Sequence, residues 1–331
     1  MPLTLSDRAV HVSPLPLFTI EEASAYGINL SSEGWLRLRK GVYVNAEQYA
    51  ALSPWDRYAV RVHAYIRRHP DGILCLESAA VVHGLPSFGE TEYIHVYDPD
   101  APRSQSISDV RVHTSAMLRE VELVGGILVT SLLDTVVDLA RVMQPADALA
   151  VVDAAISAVQ GGTLLLDDLI ARGKEGPGSR GRLRMKRAFE DANALSESPG
   201  ESISRAVIVW SGYEPPVLQA EFRYEGHIDR CDFLFEACNG LGESDGWSKY
   251  ELEDAAKAAR HLADEKRRED RLRRHRHPFA RWETADAWAA KPLCAALDGA
   301  GIPRLWPSNP TMIATLYRRP RAIRAVRRRE T

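Results

Sequence analysis

The chain has 331 residues, of which 45% are hydrophobic and 26% are charged. At about 100–200 residues per domain this length predicts two or three domains, and the composition excludes a wholly disordered chain. No apolar run reaches the ~18 residues that span a bilayer, and the four cysteines lack CxxC spacing, which argues against a membrane protein, a zinc ribbon and a disulfide framework. The N-terminus lacks the basic-then-apolar pattern of a secretory signal, so we expect a cytoplasmic protein.

The formal net charge of −3 is an average over a chain in which the positive and negative charges are unevenly distributed. Residues 257–281 contain ten Lys/Arg against four Asp/Glu, and residues 317–331 contain seven Arg against one Glu. Each stretch carries +6, so the remainder carries −15. Because clusters of cations bind phosphates, the small average charge does not exclude a nucleic-acid partner.

The first segment, residues 1–50, begins with a helix signal followed by a hairpin signal. Thr19 and Glu22 have the spacing of a capping box at a helix start. Residues 35–44 alternate apolar and polar around a glycine, which predicts a small β-hairpin with a basic edge. A helix before a basic hairpin favours a winged-helix-like domain; the alternative is a small α/β cap whose basic side chains are merely solvated. The basic side chains of this edge are Arg37, Arg39 and Lys40.

The second segment, residues 51–172, mixes helix and strand signals and predicts an α/β middle domain. Three histidines, His83, His95 and His113, are scattered through it without metal spacing, so we expect them to be structural. The helices are predicted at 57–68, 77–83, 131–141, 146–159 and 164–171, and the strands at 92–97 and 109–113.

The remaining segments are a linker, an α/β core and a tail. Residues 173–197 contain a breaker-rich loop and a basic helix, and residues 308–331 predict a disordered basic tail. Between them, residues 198–307 give a mixed sheet with helices on its faces, so the fold class is an α+β multidomain protein. In this core we predict helices at 201–210 and 250–276, and strands at 217–223, 227–235, 241–245 and 281–283.

Acidic residues recur at the elements of the core. Glu201 lies on its first helix, Asp232 inside an apolar strand, and Glu243 on the next strand. A carboxylate within an apolar strand is costly to bury unless it is paired, and a divalent cation would pair with it. Asp245 shares a face with Glu243, and Lys249 follows. Alternatively, these acids are ordinary salt-bridged groups with Arg230, Lys249 and the arginines of the long helix as partners.

The pattern from Asp232 to Tyr250 resembles the PD-(D/E)XK nuclease superfamily. Asp232-Phe-Leu precedes Glu243-Ser-Asp245-Gly246 and Lys249-Tyr250, the order found in the very-short-patch-repair endonuclease-like branch, a domain of unknown function in many actinobacterial proteins. Two further motifs of that branch, Glu201-Ser202 and Glu265-Lys-Arg-Arg-Glu-Asp270, flank this pattern. The resemblance covers about residues 198–307.

The resemblance implies a restriction-endonuclease-like core that hydrolyses phosphodiester bonds with Mg²⁺ or Mn²⁺. Asp232, Glu243 and Glu201 would hold the metal, and Asp245 and Lys249 would complete the catalytic set. The superfamily's lysine normally lies two residues after the glutamate, where this chain has Asp245. The helix arginines that would approach DNA are Arg267, Arg268, Arg271 and Arg274.

The first two segments are similar to a second family, the AbiEi-type antitoxins. Lys40-Gly-Val-Tyr-Val44 matches the end of the antitoxin wing, and the motifs Glu77-Ser-Ala-Ala80 and His83-Gly-Leu-Pro86 match the domain after it. This resemblance implies that Arg37, Arg39 and Lys40 contact DNA. It also implies a cognate toxin or self-association as further partners, and no membrane.

Three hypotheses therefore enter the structural analysis. The leading one is a DNA-directed, metal-dependent endonuclease-like protein related to defence or toxin–antitoxin systems. The alternative is a non-catalytic DNA-binding regulator or antitoxin whose nuclease fold has become a binding platform. The third is a protein-interaction scaffold with a basic tail that only improves solubility.

Overall fold

The computed structural model describes residues 3–31, 33–175, 178–246, 266–318 and 320–323. The chain is a mixed α and β protein, and among the described residues no helix is both long and apolar enough to cross a membrane. It forms two compact units that are discontinuous in sequence. The N-terminal unit comprises Leu3–Val142, Leu164–Met185 and residues 320–323, and the C-terminal unit comprises Met143–Thr163 and Lys186–Arg318.

The N-terminal unit opens with the predicted capped helix and hairpin. The Thr19 side chain accepts a hydrogen bond from the Glu22 amide, and Glu22 returns one to Thr19, so the capping box is confirmed. The hairpin is antiparallel and turns at Gly41, whose φ of +75° favours glycine. The elements are α1 (Leu5–Arg8), α2 (Ile20–Ala25), β1 (Trp35–Arg39), β2 (Val42–Asn45) and α3 (Ala46–Ala51).

A mixed six-stranded sheet forms the core of this unit. Tyr58, Leu74, Ile94 and Val129 are fully buried where the sheet meets its helices. From one edge to the other, the strands are β5 (Gln105–Ile107), β6 (Val110–His113), β4 (Ile94–Tyr97), β3 (Ile73–Leu74), β8 (Ile127–Thr130) and β7 (Val121–Val124). The helices are α4 (Pro54–Ile66), α5 (Leu76–His83), α6 (Leu132–Val142) and α8 (Leu166–Glu175).

The C-terminal unit contains a four-stranded mixed sheet, and its four predicted strands are confirmed within one or two residues. In spatial order they are β12 (Phe279–Glu283), β11 (Gly240–Asp245), β10 (His227–Phe235) and β9 (Val217–Tyr224); β11 and β12 are parallel and the other pairs antiparallel. The first helix, α10 (Pro199–Trp210), begins two residues earlier than predicted, because Ser198 caps it and Pro199 fits its first turn.

Two helices cover opposite faces of this sheet. On one face, the Oγ atoms of Ser204 in α10 and Ser244 in β11 lie 3.3 Å apart. On the other, Leu272 of α11 (266–274) packs with Cys231 and Leu241. Successive side chains of a strand point to opposite faces, so Leu241 and Glu243 face α11 whereas Ser244 faces α10. The predicted helix residues 250–265 lie outside the described residues.

The predicted segment boundaries do not delimit the two units. The apolar helix α7 (Pro145–Ile156), predicted within the middle domain, belongs to the C-terminal unit, where its buried Asp153 contacts Arg205 of α10 at 2.7 Å. The breaker-rich stretch of the predicted linker contains a loop, but α7 belongs to the C-terminal unit because it packs against α10. The remaining helices are α9 (Arg182–Glu190), which contributes to both units, and α12 (Thr284–Ala289), α13 (Lys291–Gly299) and α14 (Pro310–Ile313).

The predicted disordered tail of residues 308–331 needs correction in its described part. Residues 310–313 form α14 in the C-terminal unit, and Leu316 is buried there. In the N-terminal unit, Ala322 forms a β-bridge with Thr91. Arg321, one of the arginines on which the prediction of a disordered tail was based, forms an ion pair with Glu77. Residues 324–331 lie outside the described residues.

Candidate active site

Glu201 lies in the first turn of α10 and is only 6% exposed. Its Oε2 accepts hydrogen bonds from the Glu197 amide at 2.9 Å and from Gln219 Nε2 at 3.0 Å. Its Oε1 accepts one from Ser198 Oγ at 2.9 Å. Because three donors fix its two oxygens, the carboxyl group has a defined orientation at the start of the helix.

Gln219 connects this glutamate to the strand that carries Asp232. The register of β9 and β10 pairs Cys231 with Ala220 and Phe233 with Leu218, which places Gln219 opposite Asp232. Gln219 has a φ of +56°, and Asp232 Oδ2 accepts a hydrogen bond from the Ser244 amide at 2.9 Å. The sequence analysis missed Gln219, since a single glutamine in a short strand carries no motif of its own.

The electrostatics of Glu201 agree with two neighbouring carboxyl groups. Burial raises the pKa of Glu201, and the charge of Asp232 raises it further, to about 8. The hydrogen bonds from the Glu197 amide and Ser198 lower this pKa, but they do not offset the other two effects. The charge of Asp232 therefore disfavours ionisation of Glu201.

We expect Glu201→Gln to remove a pH dependence from the stability of the protein. The folded pKa is above the unfolded value, so between about pH 5 and 8 the folded state holds a proton that the unfolded state lacks, and stability falls as pH rises, by at most about 1.4 kcal/mol per pH unit. The amide is uncharged, and its NH₂ can donate to Ser198 Oγ. Denaturant unfolding at pH 5, 6.5 and 8 should show a smaller decline for this variant.

The matched control is Glu221→Gln, which removes an exposed carboxylate from β9 of the same sheet. It should retain the decline of the wild type. Equal pH dependence of stability in the wild type and Glu201→Gln would contradict the raised pKa.

Glu243 does not join the first two acids around one point. It faces α11, where Arg268 Nη2 lies 2.8 Å from its carboxylate. Glu201, in contrast, belongs to α10, which covers the opposite face. In the described part of the chain no group of three or more His, Cys, Asp or Glu side chains is arranged to hold a metal ion. The structure thus shows no such group at Glu201, Asp232 and Glu243, and their convergence on one ion stays a prediction.

Asp245 also has an arginine partner. Arg281 of β12 approaches it with two nitrogens, Nε to Oδ2 at 2.5 Å and Nη2 to Oδ1 at 2.8 Å. The contacts of Glu243 and Asp245 with arginines thus agree with the alternative interpretation, in which these acids form ordinary salt bridges. Lys249, the predicted catalytic lysine, lies outside the described residues.

The predicted DNA-binding arginines of α11 form ion pairs along the sheet. Arg268 pairs with Glu243, Arg271 with Asp229 at 2.6 Å, and Arg274 with Glu225 at 2.8 Å. The hydrogen bonds from Arg271 lower the pKa of Asp229. Arg267 is exposed on the same helix. Most of the predicted positive charge on this helix is thus balanced by acids that the linear sequence places elsewhere.

The hairpin residues differ in their environments. Arg37 and Lys40 are exposed on the basic edge. Arg39 instead contacts Asp109 at 2.5 Å and lies over the ring of Tyr65, 5.6 Å from its centroid. Arg39 is therefore held by contacts within the N-terminal unit, whereas the other two side chains project into solvent.

Comparison with known proteins gives a partial match to uncharacterised sequences. No protein-family profile matches the chain. Two uncharacterised proteins of Mycobacterium tuberculosis, from strains CDC 1551 and H37Rv, are each 30% identical to it over 164 residues. The matched region is 49% of this chain and 58% of each relative, so the chain spans little more than half the length of the curated proteins it resembles.

Proposed function

We propose that the C-terminal unit is a metal-dependent phosphodiesterase that cleaves DNA, built on a restriction-endonuclease-like core. The observation that carries the proposal is the placement of two carboxyl groups: Glu201 accepts a hydrogen bond from Gln219 of β9, the strand that pairs with β10, which carries Asp232. They come from a helix start and a central strand, elements whose positions are fixed by the packing of the unit. The raised pKa of Glu201 supports this placement.

A divalent cation fits the pair rather than the predicted trio. Mg²⁺ is commonly bound by one or two carboxylates, water and substrate phosphates, and these two carboxyl groups are hard oxygen donors of that kind. Glu201 and Asp232 would hold the ion. When bound, it would offset charge on the scissile phosphate and lower the pKa of a water molecule. Gln219 and Ser198 orient Glu201, and the Ser244 amide orients Asp232.

The test is cleavage of supercoiled plasmid by the purified full chain. Nicking or linearisation should appear with Mg²⁺ or Mn²⁺ and disappear with excess EDTA. The Glu221→Gln variant should cleave like the wild type, since its carboxylate is exposed and outside the pair. No cleavage with either ion, on plasmid or on single-stranded DNA, would refute the phosphodiesterase.

A specific observation favours a second candidate, a non-catalytic DNA-binding regulator. Arg268 and Arg281 neutralise Glu243 and Asp245, two of the acids that a nuclease would use. In that case DNA binding would weaken as salt rises, without cleavage under any metal condition. Electrophoretic mobility shifts at 50 and 200 mM salt, combined with the plasmid assay, separate the two candidates.

We propose that the N-terminal unit contributes DNA contacts through the hairpin, as the antitoxin resemblance implies. The exposed Arg37 and Lys40 support this role, since neither side chain is covered within the unit. A cognate toxin or a second copy of the chain would be a further partner. Replacing both residues with methionine should weaken DNA binding and reduce its salt dependence, whereas unchanged affinity would remove the hairpin from the interface.

A further inference from the structure

The N-terminal unit contains a cavity of about 670 Å³ that the proposed nuclease chemistry does not use. It lies where the ends of α6 and β6 meet the start of α9, and its lining comes entirely from the N-terminal unit. Small-molecule sites typically have volumes of ~300–1,000 Å³. The cavity thus has the size of a binding site for a molecule of nucleotide dimensions.

Its lining is strongly cationic. Six arginines and a single acid, Asp138, line the cavity. Arg119 donates hydrogen bonds to both carboxylate oxygens of Asp138, each at 2.8 Å. Arg321 forms an ion pair with Glu77. The structure joins none of the other four to a carboxylate within the described residues: Arg111, Arg141, Arg180 and Arg184. Four arginines without an ion pair to a described carboxylate therefore line one cavity.

Arg141 gives the clearest sign of a missing partner. Its Nη2 donates to the Gly173 carbonyl at 2.9 Å, but its Nε is buried and has no hydrogen-bond partner in the described part of the chain. A buried donor without a partner costs free energy. The Nη1 of Arg141, which makes only a 3.4 Å contact with the Gly178 carbonyl, is the nitrogen that would bind an anionic oxygen in the cavity. Burial lowers the pKa of Arg141, and the charge of Asp138 only partly offsets this effect.

Two of these four arginines are held in place by contacts within the unit. Arg111 stacks over the Tyr93 ring at 4.1 Å and donates from Nε to Ser106 Oγ at 3.2 Å. Arg184 donates to the Val142 carbonyl at 3.0 Å. Guanidinium groups held in this way are preorganised for phosphate oxygens, which they bind in a bidentate manner.

Beside the charged groups, the lining has a polar part, formed by Ser104, His113, Thr114 and Ser115, and an apolar part. Leu76, Tyr97 and Val142 form part of the wall, and the first two are buried. Inorganic phosphate would leave that wall unused, and a concave cavity encloses a small molecule rather than a stretch of double helix. We propose that this cavity binds a nucleoside di- or triphosphate, with its phosphates on Arg111, Arg141, Arg180 and Arg184 and its base against the apolar wall.

Isothermal titration calorimetry with the full chain and ATP, ADP, GTP, GDP, pyrophosphate and adenosine tests this proposal. At least one nucleotide should bind with Kd below about 100 µM, and pyrophosphate and adenosine should each bind at least ~10-fold more weakly. Arg141→Met should weaken nucleotide binding at least ~10-fold. Arg180→Met changes an exposed side chain and should also weaken binding while leaving the fold intact.

The control is Arg68→Met, which removes an exposed arginine of the same unit outside the cavity and should leave the affinity unchanged. Absence of binding for all four nucleotides, or equal binding by wild type and Arg180→Met, would overturn the site. Equal affinity for pyrophosphate would overturn the role of the apolar wall, and full competition by a 12-base-pair duplex would reassign the arginines to DNA. None of these results depends on DNA cleavage.

Discussion

Replacing Asp232 with asparagine should abolish metal-dependent DNA cleavage without unfolding the protein. Asparagine keeps the shape of the side chain and an oxygen that accepts the hydrogen bond from the Ser244 amide. It removes the negative charge that, with Glu201, would hold the cation. Losing that ion removes several kcal/mol of transition-state stabilisation, so the cleavage rate should fall at least ~100-fold.

The measurement is the initial rate of plasmid nicking at saturating Mn²⁺, with DNA affinity determined in parallel. The loss should fall on the rate and not on DNA affinity, because phosphate contacts by arginine do not require Asp232. Glu201→Gln should produce a similar loss, and Glu221→Gln should not. Nicking by Asp232→Asn at the wild-type rate would show that the nuclease activity lies elsewhere or belongs to a contaminant.

Local signals in the sequence predicted most of the elements. The capping box at Thr19 and the strand of residues 227–235 agree with the structure because they depend on neighbours a few residues apart. The mixed sheet of the C-terminal unit follows from the same local patterns.

Long-range pairing could not be predicted in this way. The ion pairs of Glu243 with Arg268 and of Glu77 with Arg321 join residues that are distant in sequence, and any of many arginines could have served. The placement of α7 in the C-terminal unit likewise depends on which apolar face covers it, and the predicted domain boundaries assumed contiguous segments.

The candidate site shows the same division. The sequence identified Glu201 and Asp232, and in the structure Glu201 accepts a hydrogen bond from Gln219 on the strand that pairs with the strand of Asp232. It also identified Glu243, but strand alternation turns that side chain toward α11. A shared sequence motif thus does not place all of its acids on one face of the sheet, because the face that each acid occupies depends on packing.

Replacing Arg321 with methionine should destabilise the N-terminal unit by about 3–5 kcal/mol at neutral pH. Glu77 on α5 is 4% exposed, and Arg321 Nη2 lies 2.6 Å from its Oε2. Burial alone would raise the pKa of Glu77, but the Arg321 guanidinium, with smaller effects of His95 and a backbone hydrogen bond, lowers the pKa to about 2. Methionine would leave the carboxylate buried and without its main compensating charge.

The surroundings of the pair offer little substitute for the arginine. His95 lies beside Glu77, but burial lowers the pKa of His95 to about 3, so it is neutral near pH 7. Its Nδ1 is already hydrogen-bonded to His113 Nε2 at 2.9 Å. Arg321 also anchors the chain around it, since its carbonyl accepts from the Glu92 amide at 2.8 Å. The variant should therefore lose the pairing of residues 321–323 as well.

The destabilisation should shrink as the pH falls. In the wild type, the folded pKa of Glu77 is below its unfolded value, so the contribution of the pair is present above about pH 4.5 and is lost toward pH 2. In Arg321→Met the folded pKa rises above the unfolded value, so acid favours the folded variant. Denaturant unfolding at pH 5 and pH 7.5 should give the larger difference between wild type and variant at pH 7.5.

A double variant separates the loss of the pair from the loss of packing. Glu77→Gln with Arg321→Met removes both charges and should recover most of the stability lost in Arg321→Met, because replacing a whole buried pair costs far less than breaking it. Arg318→Met, at an exposed position, should be neutral. A loss below about 1 kcal/mol in Arg321→Met, or no recovery in the double variant, would show that Arg321 does not compensate the buried charge of Glu77.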